Sequence, residues 1–223
     1  MRLPMKLLIL SCYTSSIFSG FGLGFDSNYL TMSQRAVGTS GATTTADTES
    51  LSGFLISPYL RYSIPMGQMF SIGFGPYAGF GILNPTKLKA GLADDTVTYT
   101  RLGGEAIITV NAATSVRLFL RAMIGKDYLT ETVSLKNGTV TSTVDLKYGG
   151  LLCAAMIGFL APLNDVLGLY FQVGISGSPK SSLSANAVTN DATATTLANT
   201  YNASGIQLEY IGINAGAGIA FEF

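Results

Sequence analysis

The sequence predicts an all-β chain: eight antiparallel strands connected up-and-down into a closed barrel that spans a membrane. Three observations predict it. Hydrophobic residues make up 48% of the chain and charged residues only 12%, against about 25% in soluble proteins, yet no stretch offers 18 uninterrupted apolar residues. Such apolarity without a spanning helix fits strands whose hydrophobicity is confined to every second residue. Apolar residues do alternate with small or polar ones in repeated stretches long enough to cross a bilayer, about 9–11 residues each. The connections between these stretches run long, short, long, short, long, short, long.

Residues 1–19 read as a secretory leader and residues 20–223 as the barrel. Arg2 and Lys6 supply the positive start, residues 7–10 a short apolar run, and Ser15, Ser16, Ser19 and Gly20 the small residues around cleavage. Cys12, after Ile9, Leu10 and Ser11, resembles a lipoprotein cleavage box, but the apolar run before it is short. Without the leader Cys153 is the one cysteine left, so no intramolecular disulfide frames the fold. Formal net charge is zero, or −2 without Arg2 and Lys6, which excludes a generally basic nucleic-acid binder.

Strand one covers 20–32, with Phe21, Leu23 and Phe25 on one face and Gly22, Gly24, Asp26 and Asn28 on the other. Residues 33–50 are rich in Ser, Thr, Gly and Ala without any period and read as a loop. Strand two, 51–64, sets Phe54, Ile56, Leu60, Tyr62 and Ile64 against Ser57, Tyr59, Arg61 and Ser63. A turn at 65–68 leads to strand three, 69–84, where Phe70, Ile72, Phe74, Phe80 and Ile82 alternate with Ser71, Tyr77 and glycines. Pro58 and Pro76 lie on the apolar rows and predict bulges or local kinks, because proline cannot donate to a ladder.

A loop at 85–96 precedes strand four, 97–110, and a turn at 111–115 precedes strand five. In strand five, Val116, Leu118, Leu120, Ala122 and Ile124 oppose Arg117, Phe119, Arg121 and Met123. Asn137-Gly138 is a strong hairpin signal, so residues 126–147 read as a hairpin extending strands five and six beyond the membrane. Strand six, 148–160, is apolar on both faces; it is read with Leu151, Cys153, Ala155, Ile157 and Phe159 toward lipid. After a turn at 161–165, strand seven spans 166–178. Residues 179–205 read as the longest loop, rich in Ser, Ala, Thr and Asn.

The last strand, 206–223 (IQLEYIGINAGAGIAFEF), alternates most clearly. Ile211, Ile213, Ala215, Ala217, Ile219, Phe221 and Phe223 form one row, and small or polar residues form the other. Ending on an aromatic with alternate apolar partners resembles the C-terminal signature of bacterial outer-membrane barrels. The resemblance implies that Ile219, Phe221 and Phe223 address the chain to the barrel-assembly machinery. Over residues 20–223 the architecture resembles the small eight-stranded members, such as the OmpA transmembrane domain and OmpX. It implies an integral protein of a Gram-negative outer membrane, with short periplasmic turns and longer extracellular loops. Its surroundings would be outer-membrane lipid, including lipopolysaccharide.

A Lys or Arg facing lipid at mid-membrane would cost about 2–4 kcal/mol. The alternation turns Asp26, Arg61, Arg101, Glu105, Arg117, Arg121 and Glu222 to the non-lipid rows. An eight-stranded barrel is just wide enough for side chains to fill. These charges are therefore expected to pair across the lumen, with Tyr59, Tyr77, Tyr99, Tyr170, Tyr210, Gln172 and Asn214 completing hydrogen bonds. The inward glycines of strands one, three and eight would leave room for the long side chains. Two functions remain open. One is a plugged barrel with a structural or surface role, binding an extracellular ligand through loops 33–50 and 179–205. The alternative is a narrow porin-like channel with its constriction at the arginines, whose slight excess would favour anions. No enzyme is expected. The chain has no His, which rules out a Ser–His pair or a His-ligated metal, and the outer-membrane barrel enzymes it might resemble depend on one. No cofactor or metal is implied.

Overall fold

The computed structural model describes residues 20–40, 43–85, 97–113, 116–137 and 140–222. The expected leader at 1–19, residues 86–96 of the expected loop and Phe223 lie outside the described residues. Eight strands close into one barrel, each antiparallel to its sequence neighbours. They are β1 (Gly20–Ser40), β2 (Thr43–Met66), β3 (Phe70–Pro85), β4 (Val97–Ala113), β5 (Val116–Asn137), β6 (Val140–Pro162), β7 (Leu167–Ala187) and β8 (Gln207–Glu222). The seam pairs β1 with β8 from Gly22↔Glu222 to Val37↔Gln207, which leaves the sheet without an edge.

Closure converts the two-residue period into an inside and an outside. On β8, Ile211, Ile213 and Ile219 are exposed while Leu208, Tyr210, Asn214 and Ala220 are buried. On β6, Leu151, Cys153, Ile157 and Phe159 face outward and Leu152, Met156 and Leu160 inward, so the orientation favoured for this strand holds. Phe25, Phe54, Phe80, Leu102, Ile124, Ile157 and Val173 continue the outward row around the barrel. A belt of large apolar side chains on every strand suits lipid and not water.

The short connections, β2–β3, β4–β5 and β6–β7, gather at one end with the barrel termini. Gly67 makes the first of them with φ +81°, a left-handed conformation open to glycine. In the third, Asn164 Oδ1 accepts from the backbone N–H of Val166 (2.9 Å) and Leu167 (2.7 Å), an Asx turn.

The opposite end differs from what the sequence predicts. Residues 33–50 are not a loop: β1 and β2 stay paired from Ser33↔Ser50 to Ser40↔Thr43. Residues 179–205 are not a loop either. β7 continues to Ala187, and a helix, α1 (Ala192–Ala203), precedes β8. There Ser, Thr, Gly and Ala leave no two-residue hydrophobic period in the sequence, while the pairing persists. The β5–β6 hairpin does extend as expected, paired from Arg117↔Leu160 to Asn137↔Val140.

Of the bulges or kinks expected at Pro58 and Pro76, no bulge forms. β2–β3 keeps one register from Ile56↔Phe80 through Tyr59↔Tyr77 to Tyr62↔Phe74, and Pro76 pairs with Gly104. Register shifts fall instead between Asn111 and Ala113, at the β4–β5 turn, and at Pro179. The β7–β8 ladder shifts by one residue between Ser178 and Ser181, and β6–β7 shifts opposite the same segment. Pro179 and Lys180 are exposed, and Ser178 and Ser181 point inward with their hydroxyls 3.0 Å apart.

Candidate functional site

The lumen is filled in three layers. At the short-turn end, half-buried Arg117 donates from Nη1 to Glu222 Oε2 at 3.0 Å. Above it lies the central cluster. Arg121, only 1% exposed, donates from Nε to Glu105 Oε2 (2.7 Å) and from Nη1 to Asp26 Oδ2 and Gln172 Oε1 (3.1 Å). Arg61 reaches the other oxygen of the same carboxylate, Glu105 Oε1, from Nε at 2.9 Å and Nη2 at 2.8 Å. Gln172 Nε2 donates to Asp26 Oδ2 (3.2 Å) and Asn28 Oδ1 (2.9 Å). The Tyr59 ring lies beneath both guanidiniums, 4.5 Å from Arg61 and 5.2 Å from Arg121, adding cation–π attraction.

Four of the seven charges expected in the lumen network, Asp26, Arg61, Glu105 and Arg121, thus meet in one cluster. Arg117 and Glu222 form their own pair. Arg101 does not join them: it is fully buried, donates from Nη2 to Ser57 Oγ (3.0 Å) and faces the Tyr77 ring, without an ion pair among the described residues. The expected arginine excess is also corrected. Asp127, placed in the polar hairpin by the sequence reading, is buried on the inner row as the cross-strand partner of Arg101. It accepts from Tyr210, whose hydroxyl lies 2.8 Å from that of Tyr99. Four arginines therefore face four carboxylates. Arg101 and Asp127 share one odd-numbered cross-strand pair, the signal that could have found it.

Glycines make this packing possible, as the sequence reading expects for strands one, three and eight. A Cβ on Gly24 would stand 2.3 Å from the Tyr59 hydroxyl, one on Gly79 2.7 Å from Arg101 Nε, and one on Gly218 2.4 Å from Tyr170 Cζ.

The third layer had no sequence warning. Leu30, Met32, Leu51, Leu55, Leu83, Val97, Leu129 and Leu208 all point inward and cluster with Tyr99 and Tyr210, nearly solvent-free. They close the lumen above the charges. Lower down lies a cavity of about 20 Å³ among Arg61, Arg121, Tyr170, Gln172 and Glu222. That is room for about one water.

At the far end α1 packs on the inner faces of the extended β6 and β7. Ala194 and Ala198 meet Val144, Leu146 and Ala185. Asp191 caps the helix, accepting from Ala194 N at 2.8 Å and from Ser142 Oγ at 2.9 Å. The Thr189 hydroxyl (2.5 Å) and these donors hold the Asp191 carboxyl below its ordinary pKa. Gly205, at φ +63°, ends the helix. An Ala/Thr helix shows little amphipathic period; only Asp191 before it and Ser204-Gly205 after it mark it in the sequence. Of the residues that the resemblance implies for assembly, Ile219 is exposed and Phe221 half-buried on the outer row of β8, and Phe223 lies outside the described residues. No group of metal-ligating residues occurs among the described residues.

Compared with known proteins, the chain matches no protein-family model and no curated protein. Solved structures do match. Neisserial surface protein A aligns over 92% of this chain and 98% of its own, with TM-score 0.52 and 13% identity. The fold is that of an outer-membrane β-barrel. The Escherichia coli outer-membrane protease OmpT aligns over 94% of this chain and 98% of its own (TM-score 0.44, 11% identity). Ail, the attachment invasion locus protein of Yersinia pestis, aligns over 90% and 99% (TM-score 0.34, 10% identity). Identities this low speak for the fold alone. In outer-membrane barrels the short turns are periplasmic and the longer connections extracellular.

Proposed function

We propose that the chain is an integral outer-membrane barrel that does not conduct and acts through the structure it raises above the bilayer. The working surface is the extended β1–β2 and β5–β6 hairpins, β7 and α1. The observation that carries this reading is the filled lumen. Arg101 and Arg121 are no more than 1% exposed, and Leu30, Leu55 and Leu83 above them are 0% exposed. A permeating ion would have to displace paired charges and then cross a dry apolar layer. Barrel without pore leaves the extracellular face as the part that meets other molecules.

The test is single-channel conductance of the refolded protein in a planar bilayer, after a heat-modifiable gel shift has established folding. The expected result is a silent membrane. Steady, discrete conductance would replace this reading with the porin-like one and make the arginine cluster its constriction.

A further inference from the structure

Three neighbouring strands change character at one level of the wall. β6 carries Gly149 and Gly150 in succession, so neither of its faces has a side chain there. Beside them β7 bulges at Pro179 and Lys180, and its one extra residue interrupts the ladders to β6 and to β8 together. Pro179 has no N–H to offer either neighbour. At the same level β5 and β7 part from the rest of the barrel. Among the described residues the last β4–β5 pair is Thr98↔Thr130 and the last β7–β8 pair is Ser182↔Gln207. These positions adjoin, since Gly149 pairs with Tyr128 on one side and Ser182 on the other.

Above that line the three strands and α1 form a body with its own core. Val144, Leu146, Ala185, Ala194 and Ala198 make its centre, with Val133, Leu183, Leu197 and Tyr201 packed around them. Its polar ties are internal as well. Asn202 Nδ2 donates to Ala185 O (2.9 Å) and Asn202 Oδ1 accepts from Ala185 N (2.8 Å). Thr189 Oγ1 accepts from Thr143 N at 2.9 Å. The leucine layer below is a separate cluster, and Tyr148 is the residue packed against both. Side chains strap the joint where the ladder is weak. A Cβ on Gly150 would stand 2.2 Å from Ser181 Oγ on the inside, and one on Gly149 3.0 Å from the Tyr128 ring on the outside.

A packed core above, a packed core below and a glycine pair facing a bulge between them make a hinge. We infer that β5, β6 and β7 above this line, together with α1, are a lid that tilts as one body over the barrel mouth. Because α1 stands on the inner faces of β6 and β7, tilting swings it across the mouth. Its exposed Thr195, Thr196, Asn199 and Thr200 are then presented at a changing angle. The lid lies within the surface proposed above as the working one, and its role rests on that reading; the hinge rests on the ladders alone.

Deleting Pro179 removes the extra residue. Lys180 then faces Glu209 and Leu151, Ser178 and Ser181 keep their inward places, and both ladders run unbroken. The experiment measures spin-label distances in the refolded full-length chain carrying Cys12→Ser and Cys153→Ser. One label pair spans the hinge, Thr196→Cys with Asn84→Cys near the upper end of β3. The other stays within the lid, Thr196→Cys with Ser184→Cys. The hinge predicts a distance distribution about twice as wide for the spanning pair as for the lid pair. Deletion of Pro179 is expected to bring the spanning pair down to the width of the lid pair. Should the deletion variant fail the heat-modifiable gel shift, Gly149→Ala is expected to narrow the spanning pair through the other half of the hinge. Equal widths for the two pairs before the hinge is altered, or a spanning width unchanged in the folded hinge variant, overturns the inference. Steady conductance with the broad spanning distribution intact would overturn the non-conducting reading and leave the hinge standing.

Discussion

Arg121 shows how much one side chain can hold in a closed barrel. Its guanidinium joins β5 to Asp26 on β1, Glu105 on β4 and Gln172 on β7. Removing one partner of a buried ion pair costs about 3–5 kcal/mol because the remaining charge stays desolvated. Arg121→Met is expected to lose that much stability in urea titrations in lipid vesicles. Arg117→Met, whose pair with Glu222 is partly solvated, should lose under about 1 kcal/mol. A second prediction concerns Gly218. A Cβ there would sit 2.4 Å from the carbonyl oxygen of Phe25, which the ladder holds in place, and 2.4 Å from Tyr170 Cζ. Gly218→Ala is expected to cost about 1–3 kcal/mol by the same titration. Gly104→Ala, where the nearest atom is 3.9 Å away, should cost nothing measurable.

Among elements, α1 is held largely by its cap and by small side chains, so its stability is local. Asp191 titrates below its ordinary value because Thr189, Ser142 and the Ala194 amide bond its charged form. A carboxylate depressed in the folded state stabilises above its unfolded pKa, and that contribution fades as pH falls through the folded value. For Asp the window lies below about pH 3.9. Amide protection at Ala194 and Ala198, measured by hydrogen exchange with the intrinsic pH dependence removed, should stay constant from pH 7 to 5 and drop below pH 4. Asp191→Asn should show reduced protection at every pH. Protection that ignores both changes would mean packing on β6 and β7 alone holds the helix.

For the whole molecule the barrier to conduction is a stack, and its layers can be separated. Arg117→Ala enlarges the periplasmic opening but leaves the central cluster and the leucine layer in place. The expected outcome is a silent bilayer for this variant as for the wild type. A steady current in the variant alone would locate the barrier at the Arg117–Glu222 pair.

Alternation by itself determined the strand count, the lipid-facing rows and the inward turn of the four arginines, because a side chain's face follows from its parity along a strand. It also determined that the β5–β6 hairpin rises above the membrane, through its loss of apolar period and the Asn137-Gly138 turn. It could not determine which charges meet. Arg101 passing its carboxylate neighbour for Ser57, Asp127 entering the lumen, and eight apolar residues sealing it depend on the stagger between strands, which parity does not encode. The strands at 33–50 and β7's continuation past Pro179 were hidden for a related reason. Ser-, Thr- and Ala-rich stretches carry no hydrophobic period, and their pairing comes from neighbouring strands already in place.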